Sequence, residues 1–519
     1  MKNKDWFKVR GYRHIDSKIT LNEKRKVLSK LSNPEYVAKH AFLPLIYKTI
    51  TERKYKKLMD SDGVYYRSHF GRDTGESTKK VRPIHYACHI DAQIYAYYNH
   101  KILSSAYEDL LRNTTGLSDC ISAYRSIVAP EGFRNKSNVH FAKDAFDEVR
   151  KRGECIAIAL DVKSFFSTLD HKILLERWKE VLGLSFLPPD HFHVYKSITQ
   201  FRYVSLNDFR TVKGGFDERE ISNYQKDGID AFFRSMTDFR ERLKAKEFIV
   251  RKNQFHKEEN GKRYLIGIPQ GLPISALLAN IYMYRFDLVV YNELCLKRNV
   301  FYRRYSDDIV LVCSINQREY VESFIREKIS GELAKLKLSE NKTERTIFEE
   351  FKVNGKTRLQ SYALSVDGKK TFNIPFNYLG FQFYGYQTLI KNNRVSNFYR
   401  RMKRAVRVQH IKADKAKEKS LIANKVIYKT RLYRLFSYKG VKKRELSSRR
   451  RYILTKNRLD YWTRKPIDIK RRHRGNALKY AQKAAEIMDA PEINRQYRNH
   501  FRILQDTIKK YNFDNLRKD

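Results

Sequence analysis

The sequence predicts an α+β fold in which helices cover one face of an antiparallel sheet. Three stretches carry that reading, in this order along the chain. "CIAIAL" (155–160) is a short apolar strand that ends at Asp161. "IGIPQGLPISALLANIYMYRFDLVVYNEL" (266–294) is a long apolar-faced helix behind a turn marked by Pro269, Gly271 and Pro273, with Ser275 placed to cap or begin it. "FYRRYSDDIVLVC" (301–313) is a tight β-hairpin whose second arm is continuously apolar. Strand, helix and hairpin in succession are the α+β pattern.

The remaining elements arrange themselves around these. A chain of 519 residues exceeds one hydrophobic core, so about two to four structural units are expected. The polar segment 206–262, with "KGGFDEREISNYQKDG" and "KEENGK", reads as loops around a helical stretch, inserted between two parts of one domain. Near Lys391, strand-like alternation gives way to a basic helical pattern. Hydrophobic residues at 41% and aromatics at 13% argue against disorder.

Charge narrows the function. The net charge is +48, and residues 391–519 hold 39 Lys and Arg against 11 Asp and Glu, a net of +28. A field of that sign and size calls for a polyanionic partner, nucleic acid first. No run approaches 18 uncharged apolar residues, and "MKNKDWFKVRGYRH" lacks the apolar core of a signal peptide, so a soluble cytoplasmic protein without membrane contact is expected. Cys88, Cys120, Cys155, Cys295 and Cys313 lie far apart with no C-x-x-C pair, which excludes the common zinc spacings and a disulfide framework. A catalytic metal would therefore sit on oxygen ligands.

Three acids supply them. Read alone, Ser-Asp-Asp at 306–308 is ordinary turn chemistry, and Asp161 is an ordinary strand-terminal cap. If the 155–160 strand lies beside the hairpin, the picture changes, because neighbouring strands are about 4.8 Å apart and carboxylates at facing ends converge. Three such carboxylates can bind two hard divalent cations about 3.5–4 Å apart, an arrangement that serves phosphoryl transfer from a triphosphate to a 3′-hydroxyl.

In order along the chain, "IALDVKSFF", "IPQGLPISALLANIYM", "YSDD", "LKLSENKTE" (336–344) and "NYLGFQF" (377–383) resemble the successive motifs of reverse transcriptases, over roughly residues 77–390. The resemblance implies a right-hand polymerase: N-terminal extension and fingers in 1–150, palm in 151–205 and 263–390 around the 206–262 insertion, and a basic α-helical thumb and C-terminal RNA-binding region in 391–519. It implies that Asp161, Asp307 and Asp308 ligate two Mg2+ ions, with Mn2+ as a substitute, helped by the carbonyl of Val162. Phe165 or Phe166 would exclude a 2′-hydroxyl, and Gln270 and Gly271 would contact the incoming nucleotide. Lys342 resembles the lysine that protonates the leaving pyrophosphate. "STKKVRPIHY" (77–86) resembles the triphosphate-gripping fingers segment, with Arg82 its leading residue and Lys79 or Lys80 assisting. "SAYRSIVAP" (122–130) offers Arg125 as a template contact, and Tyr305, Leu379 and Gly380 would touch nucleic acid.

The C-terminal "GNALKYAQKAAEIMDAPEINRQYRNHFRIL" (475–504) and "RGYRHID" (10–16) resemble segments of the bacterial defence-associated class, the unknown-group and abortive-infection reverse transcriptases. That class implies DNA synthesis on a dedicated structured non-coding RNA in anti-phage defence, with dNTPs and a primer or cDNA as further partners and a homo-oligomer left open. Retron-like or group II intron-like enzymes, a non-templated or protein-primed polymerase, and a catalytically silent RNA-binding scaffold are the alternatives. For the RNA, "KKRELSSRRRY" (442–452), "DIKRRHR" (468–474) and "RQYRNHFR" (495–502) supply cations, among them Arg449, Arg450, Arg471 and Arg472. Tyr452, Tyr461, Trp462, Tyr497 and Phe501 lie among these cations as candidate base-stacking rings.

Overall fold

A computed structural model of the protein describes residues 6–53, 57–59, 65–67, 79–132, 134–211, 214–259, 261–353, 355–365, 367–419, 429–438, 451–456, 462–467 and 475–513. The chain is α+β, with antiparallel sheets and a helical C-terminal region. It divides into two compact units, one made of Met1–Arg125, Leu160–Leu311 and Asn316–Thr343, the other of Ser126–Ala159, Val312–Ile315 and Glu344–Asp519. Among the described residues no helix is long and apolar enough to cross a membrane.

The first unit holds a four-stranded sheet in the order Lys79–Tyr86, Leu45–Arg53, Arg202–Ser205, Arg251–Lys252. Leu45–Arg53 runs antiparallel to Lys79–Tyr86 and parallel to Arg202–Ser205. The segment 10–16 lies across this region as a strap. Arg10 donates to the carbonyl of Ala92 (3.1 Å), Tyr12 to that of Ala87 (2.8 Å), and His14 to that of Tyr86 (3.0 Å). Asp16 accepts from the backbone N–H groups of His89 (2.8 Å) and Ile90 (3.3 Å). These are orphan donors at the start of helix His89–Tyr97, whose own preceding residue, Cys88, offers no cap.

Two sequence expectations change here. "KGGFDEREISNYQKDG" contains a helix, Glu218–Lys226, because Asp217 accepts from the N–H groups of Arg219 (3.1 Å) and Glu220 (3.0 Å) and so starts it. The segment also has its own core: Phe233, Phe239 and Phe248 are buried together with Ile15 of the strap and Val204 of the sheet. The long helix behind the Pro-Gly-Pro turn is likewise two helices, Ser275–Tyr282 and Tyr284–Val290, divided at Met283. Ser275 begins the first without capping it, since its hydroxyl donates to the carbonyl of Pro269 (2.6 Å) and so holds the turn.

In the second unit, the first residues of strand Cys155–Asp161 pair antiparallel with Glu344–Val353, from Cys155 opposite Phe348 to Ala159 opposite Glu344. Glu344–Val353 pairs with Lys356–Leu364, and that strand with Lys370–Phe372. A separate three-stranded sheet, Phe376–Tyr378, Phe381–Phe383 and Thr388–Ile390, packs Phe376 and Phe383 on Phe146 of helix Asn138–Arg152, with ring centroids 5.6 and 4.9 Å apart. Helix Asn392–Lys419 buries Phe398, Met402, Val406 and Ala413, one stripe at helical spacing, and leaves a basic face exposed. Tyr497, a candidate stacking ring, is 4% exposed and packs edge-on against Phe398. It belongs to this core and is not offered to a base.

Candidate active site

Three chain segments of the first unit are laced side by side by backbone hydrogen bonds. Val162 N–H donates to the carbonyl of Asp307 (3.0 Å), Ser339 N–H to that of Asp161 (2.8 Å), and Lys163 N–H to that of Lys337 (2.8 Å). The end of strand Cys155–Asp161 thus lies beside the turn joining Phe301–Tyr305 to Asp308–Cys313. Asp161 and Asp307 come from segments whose separation is that of neighbouring strands, about 4.8 Å.

The turn is held from below. Ser306 has φ 62°, a left-handed conformation that a serine adopts only when its surroundings impose it. Arg304, fully buried, donates to both carboxylate oxygens of Asp287 (2.8 and 2.5 Å), to the side-chain oxygen of Asn280 (3.1 Å) and to the carbonyl of Ser306 (3.2 Å). Tyr302 donates to the same Asp287 (2.6 Å), and Asn280 donates to the carbonyl of Ala123 (2.8 Å). A buried ion pair of this kind contributes little net stability against an apolar pair, but every donor has one place to point. Its geometry fixes the turn.

The acids are electrostatically crowded. Burial pushes the Asp308 carboxyl up to about 7, with the charges of Asp307 and then Asp161 adding to it. Asp307 is also raised, by burial first and then by Asp161, while Lys80 and Lys342 act against the shift. Asp161 accepts from the Lys342 ammonium and from the Ser339 hydroxyl (3.1 Å) on the same oxygen.

A cavity of about 1000 Å³ opens on Asp161, Asp307 and Lys342, while Asp308 is not among its walls. Its walls include Asp161, Val162, Asp307 and Lys342, together with Lys80, Arg82, Phe165, Phe166 and Gln270. Gly271 stands just behind: its φ is +122°, and a Cβ there would lie 2.4 Å from the carbonyl oxygen of His85. The same His85 donates its N–H to the carbonyl of Gln270 (2.8 Å), so the Pro-Gln-Gly loop is clamped to strand Lys79–Tyr86. Only glycine fits that approach.

Other sequence candidates fall elsewhere. Arg125 has a 4% exposed side chain turned inward, bound to both carboxylate oxygens of Glu108 (2.8 and 2.7 Å), to the carbonyls of Ser118 and Ile121 and to the Ser118 hydroxyl. It holds its own loop rather than a template. Tyr305 is half-buried, and its phenol is raised by burial and then by the neighbouring Tyr124 and Asp308. Leu379 (φ 44°) and Gly380 (φ 92°) form the two-residue turn of the Phe376–Tyr378/Phe381–Phe383 hairpin in the second unit. Arg449, Arg450, Arg471 and Arg472 lie outside the described residues. Conversely, the Arg304, Asp287 and Asn280 network is not legible in the sequence, nor is the role of Tyr124, which also lines the cavity. Only their shared turn reveals them.

The donor set suits a hard divalent cation in type and charge. It consists of carboxylate oxygens: the Asp308 carboxyl is pushed up to about 7 by burial first and then by the charges of Asp307 and Asp161, and a lysine ammonium rests on Asp161. The acids are not a ready-made shell, since no three ligating side chains among the described residues converge on one point.

Comparison with known proteins gives one family match. Residues 227–383 match the family described as reverse transcriptase (RNA-dependent DNA polymerase). The chain thus carries, on its α+β fold, a span that matches a reverse-transcriptase domain. The matched span includes Gln270, Gly271, Asp307, Asp308 and Lys342, and begins after Asp161. No curated protein sequence matches the chain. Among solved structures it is similar to apo telomerase from Candida tropicalis truncated from its C-terminal domain, at 10% identity and TM-score 0.35 over 72% of this chain and 61% of that one. Telomerase from Candida albicans in complex with a TWJ fragment of telomeric RNA gives 12% identity and TM-score 0.32 over 73% and 52%. A further apo telomerase from Candida tropicalis gives 11% and 0.33 over 74% and 56%. The chain therefore spans between 52% and 61% of the length of these proteins.

Proposed function

We propose that this protein copies a dedicated structured RNA into DNA at the cavity described above, with Asp161, Asp307 and Asp308 holding two Mg2+ ions. The observation that carries the reading is the lacing of Asp161 and Asp307 beneath a cavity that also presents Lys80, Arg82, Phe165, Phe166 and Gln270. Bound divalent cations would supply activation of the primer 3′-hydroxyl and neutralisation of charge developing on the phosphates. Lys80 and Arg82 grip the triphosphate, the guanidinium with its bidentate fork. One phenylalanine stands under the sugar. Lys342 moves its Nζ proton to the pyrophosphate oxygen as it leaves, once its ammonium has come off Asp161.

In this reading residues 1–150 act as N-terminal extension and fingers, the catalytic motifs of 151–205 and 263–390 as palm, and 391–519 as a thumb and RNA-binding region. The +28 carried by residues 391–519 supports a nucleic-acid role for that region. The likeness of segments 10–16 and 475–504 to the defence-associated class supports a bacterial anti-phage role in the cytoplasm.

The test is direct. Asp307→Ala is expected to abolish nucleotide incorporation, a loss of about 10³-fold or more, while folding and RNA binding stay intact. Incorporation at the wild-type rate by that variant would remove the polymerase reading. Sequencing the nucleic acid that co-purifies with the chain identifies the RNA.

A further inference from the structure

The geometry points to Tyr124 as the aromatic surface against which the nucleoside at the primer's 3′ end packs, an assignment that rests on the polymerase reading above. Tyr124 has φ 63°, a left-handed backbone that is sparse for any residue with a Cβ and rarer still for a bulky one. Such conformations persist only where the surroundings over-determine them. Here they do. Ile121 forms a parallel bridge with Arg304, Ser122 N–H donates to the carbonyl of Arg304 (3.0 Å), and the carbonyl of Ala123 accepts from Asn280 (2.8 Å). On the far side Arg125 is locked to Glu108.

The residues so held are buried: Ile121, Ser122 and Ala123 are at most 2% exposed. Tyr124 between them and Arg125 is 52% exposed and lines the active-site cavity. The loop is therefore bent at a conformational cost to present one aromatic ring to the cavity. Its phenol donates to the hydroxyl of Ser306 (3.2 Å), the residue directly before Asp307. A ring tethered there meets whatever is brought to Asp307, and the group brought there is the nucleotide that bears the attacking 3′-hydroxyl. An aromatic face suits a base or a sugar, and tolerates any sequence because every nucleoside has an apolar face. The same contact explains why Arg125, next in sequence, is free of this duty: it anchors the bend that aims Tyr124.

A purely structural role is the competing account, in which the phenol only steadies Ser306. Two variants of the full chain separate them, read with a fluorescein-labelled DNA primer annealed to an RNA template. Tyr124→Gly relaxes the left-handed backbone, so the melting temperature holds or rises while primer–template affinity falls about 10-fold. Tyr124→Phe removes the tether but keeps the ring, and its affinity stays within about 3-fold of wild type. The KM for the dNTP should change little in either; a rise in that KM with primer–template affinity unchanged would put the ring on the incoming nucleotide and overturn the assignment. A primer ending in an abasic nucleotide locates the contact. Wild type loses what Tyr124→Gly loses if the base packs on the ring, and binds the abasic end normally if the sugar does. Unchanged affinity in Tyr124→Gly would overturn the assignment, as would an equal loss in Tyr124→Phe and Tyr124→Gly. In both cases wild-type extension of the same duplex leaves the polymerase reading standing; only its absence removes that.

Discussion

Phe165 and Phe166 are neighbours in sequence with different surroundings. Phe165 is 3% exposed, and Phe166 is half-buried, its backbone carbonyl taken by Ile268 N–H (2.8 Å). Truncating a ring as buried as Phe165 costs about 3–5 kcal/mol of stability through the cavity it leaves. Phe166→Ala leaves a space on the cavity side that a 2′-hydroxyl can occupy. Phe166→Ala is therefore expected to raise the ratio of ribonucleotide to deoxyribonucleotide incorporation by about 10-fold, measured as kcat/KM for each, with little loss of melting temperature. Phe165→Ala should do the reverse. Equal ratios in Phe166→Ala and wild type would place sugar discrimination elsewhere. The sequence could name this pair but not choose between them, because exposure is set by the packing of the Pro-Gln-Gly loop, some hundred residues away. Asp161 and Asp307 were more legible: an acid at the end of an apolar strand and an acid in a hairpin turn each read locally, and strand spacing does the rest. Tyr124 was illegible, since nothing in "SAYR" shows that the backbone turns left-handed there.

The strap of residues 10–16 makes the same point for an element. "RGYRHID" carries the residue types of a binding motif, yet Arg10, Tyr12, His14 and Asp16 each bond the backbone of segment 86–92. A sequence pattern cannot tell a ligand's partner from a helix's. One consequence is a pH dependence of stability. Burial lowers His14 to about 3 and His85 and His89 to about 4, against an unfolded value near 6.5. Such groups bind protons more readily when unfolded, so their contribution is complete above pH 6.5 and is lost as pH falls from there toward 4. Each costs about 2 kcal/mol at pH 5. Asp16, pushed up to about 6 mainly by burial, works in the opposite sense, losing stability as pH rises from about 4 to 6, and one carboxyl offsets only part of three imidazoles. The melting temperature should therefore drop between pH 7.5 and 5. His85 is the cleanest probe, because neither ring nitrogen has a hydrogen-bond partner and its ring sits among Tyr47, Phe201, Tyr203 and Phe255. His85→Phe should melt at or above the wild-type temperature at pH 7.5 and lose less on acidification. A drop as steep as that of wild type would assign the pH dependence to other groups.

For the molecule as a whole the governing quantity is charge. A net charge of +48 repels itself in the folded state, and a chain keeps such a field only where a polyanion neutralises it. On helix Asn392–Lys419 the apolar stripe Phe398, Met402, Val406 and Ala413 faces inward, which leaves Arg401, Arg404 and Arg407 exposed on the other side. Each lies about one turn from the next, a spacing of roughly 5 Å that follows a phosphate backbone. Neutralising a phosphate releases a counterion, so log K falls with log salt by about 0.7 per contact on single strands and about 0.9 on duplex DNA. Replacing Arg401, Arg404 and Arg407 together by Glu should weaken RNA binding by about 10-fold or more at moderate salt and flatten the salt slope by about 2 to 3. The active site need not feel it: at saturating primer–template, kcat should stay close to wild type, with the loss appearing in KM for nucleic acid. The measurement is a binding titration across a range of KCl, paired with steady-state kinetics on the same preparation. If affinity falls while the slope is unchanged, these arginines act through the fold of the helix and not through phosphate. If both fall, and fall further on the co-purifying RNA than on a generic primer–template, the charge of this region serves a particular RNA partner as well as the growing duplex.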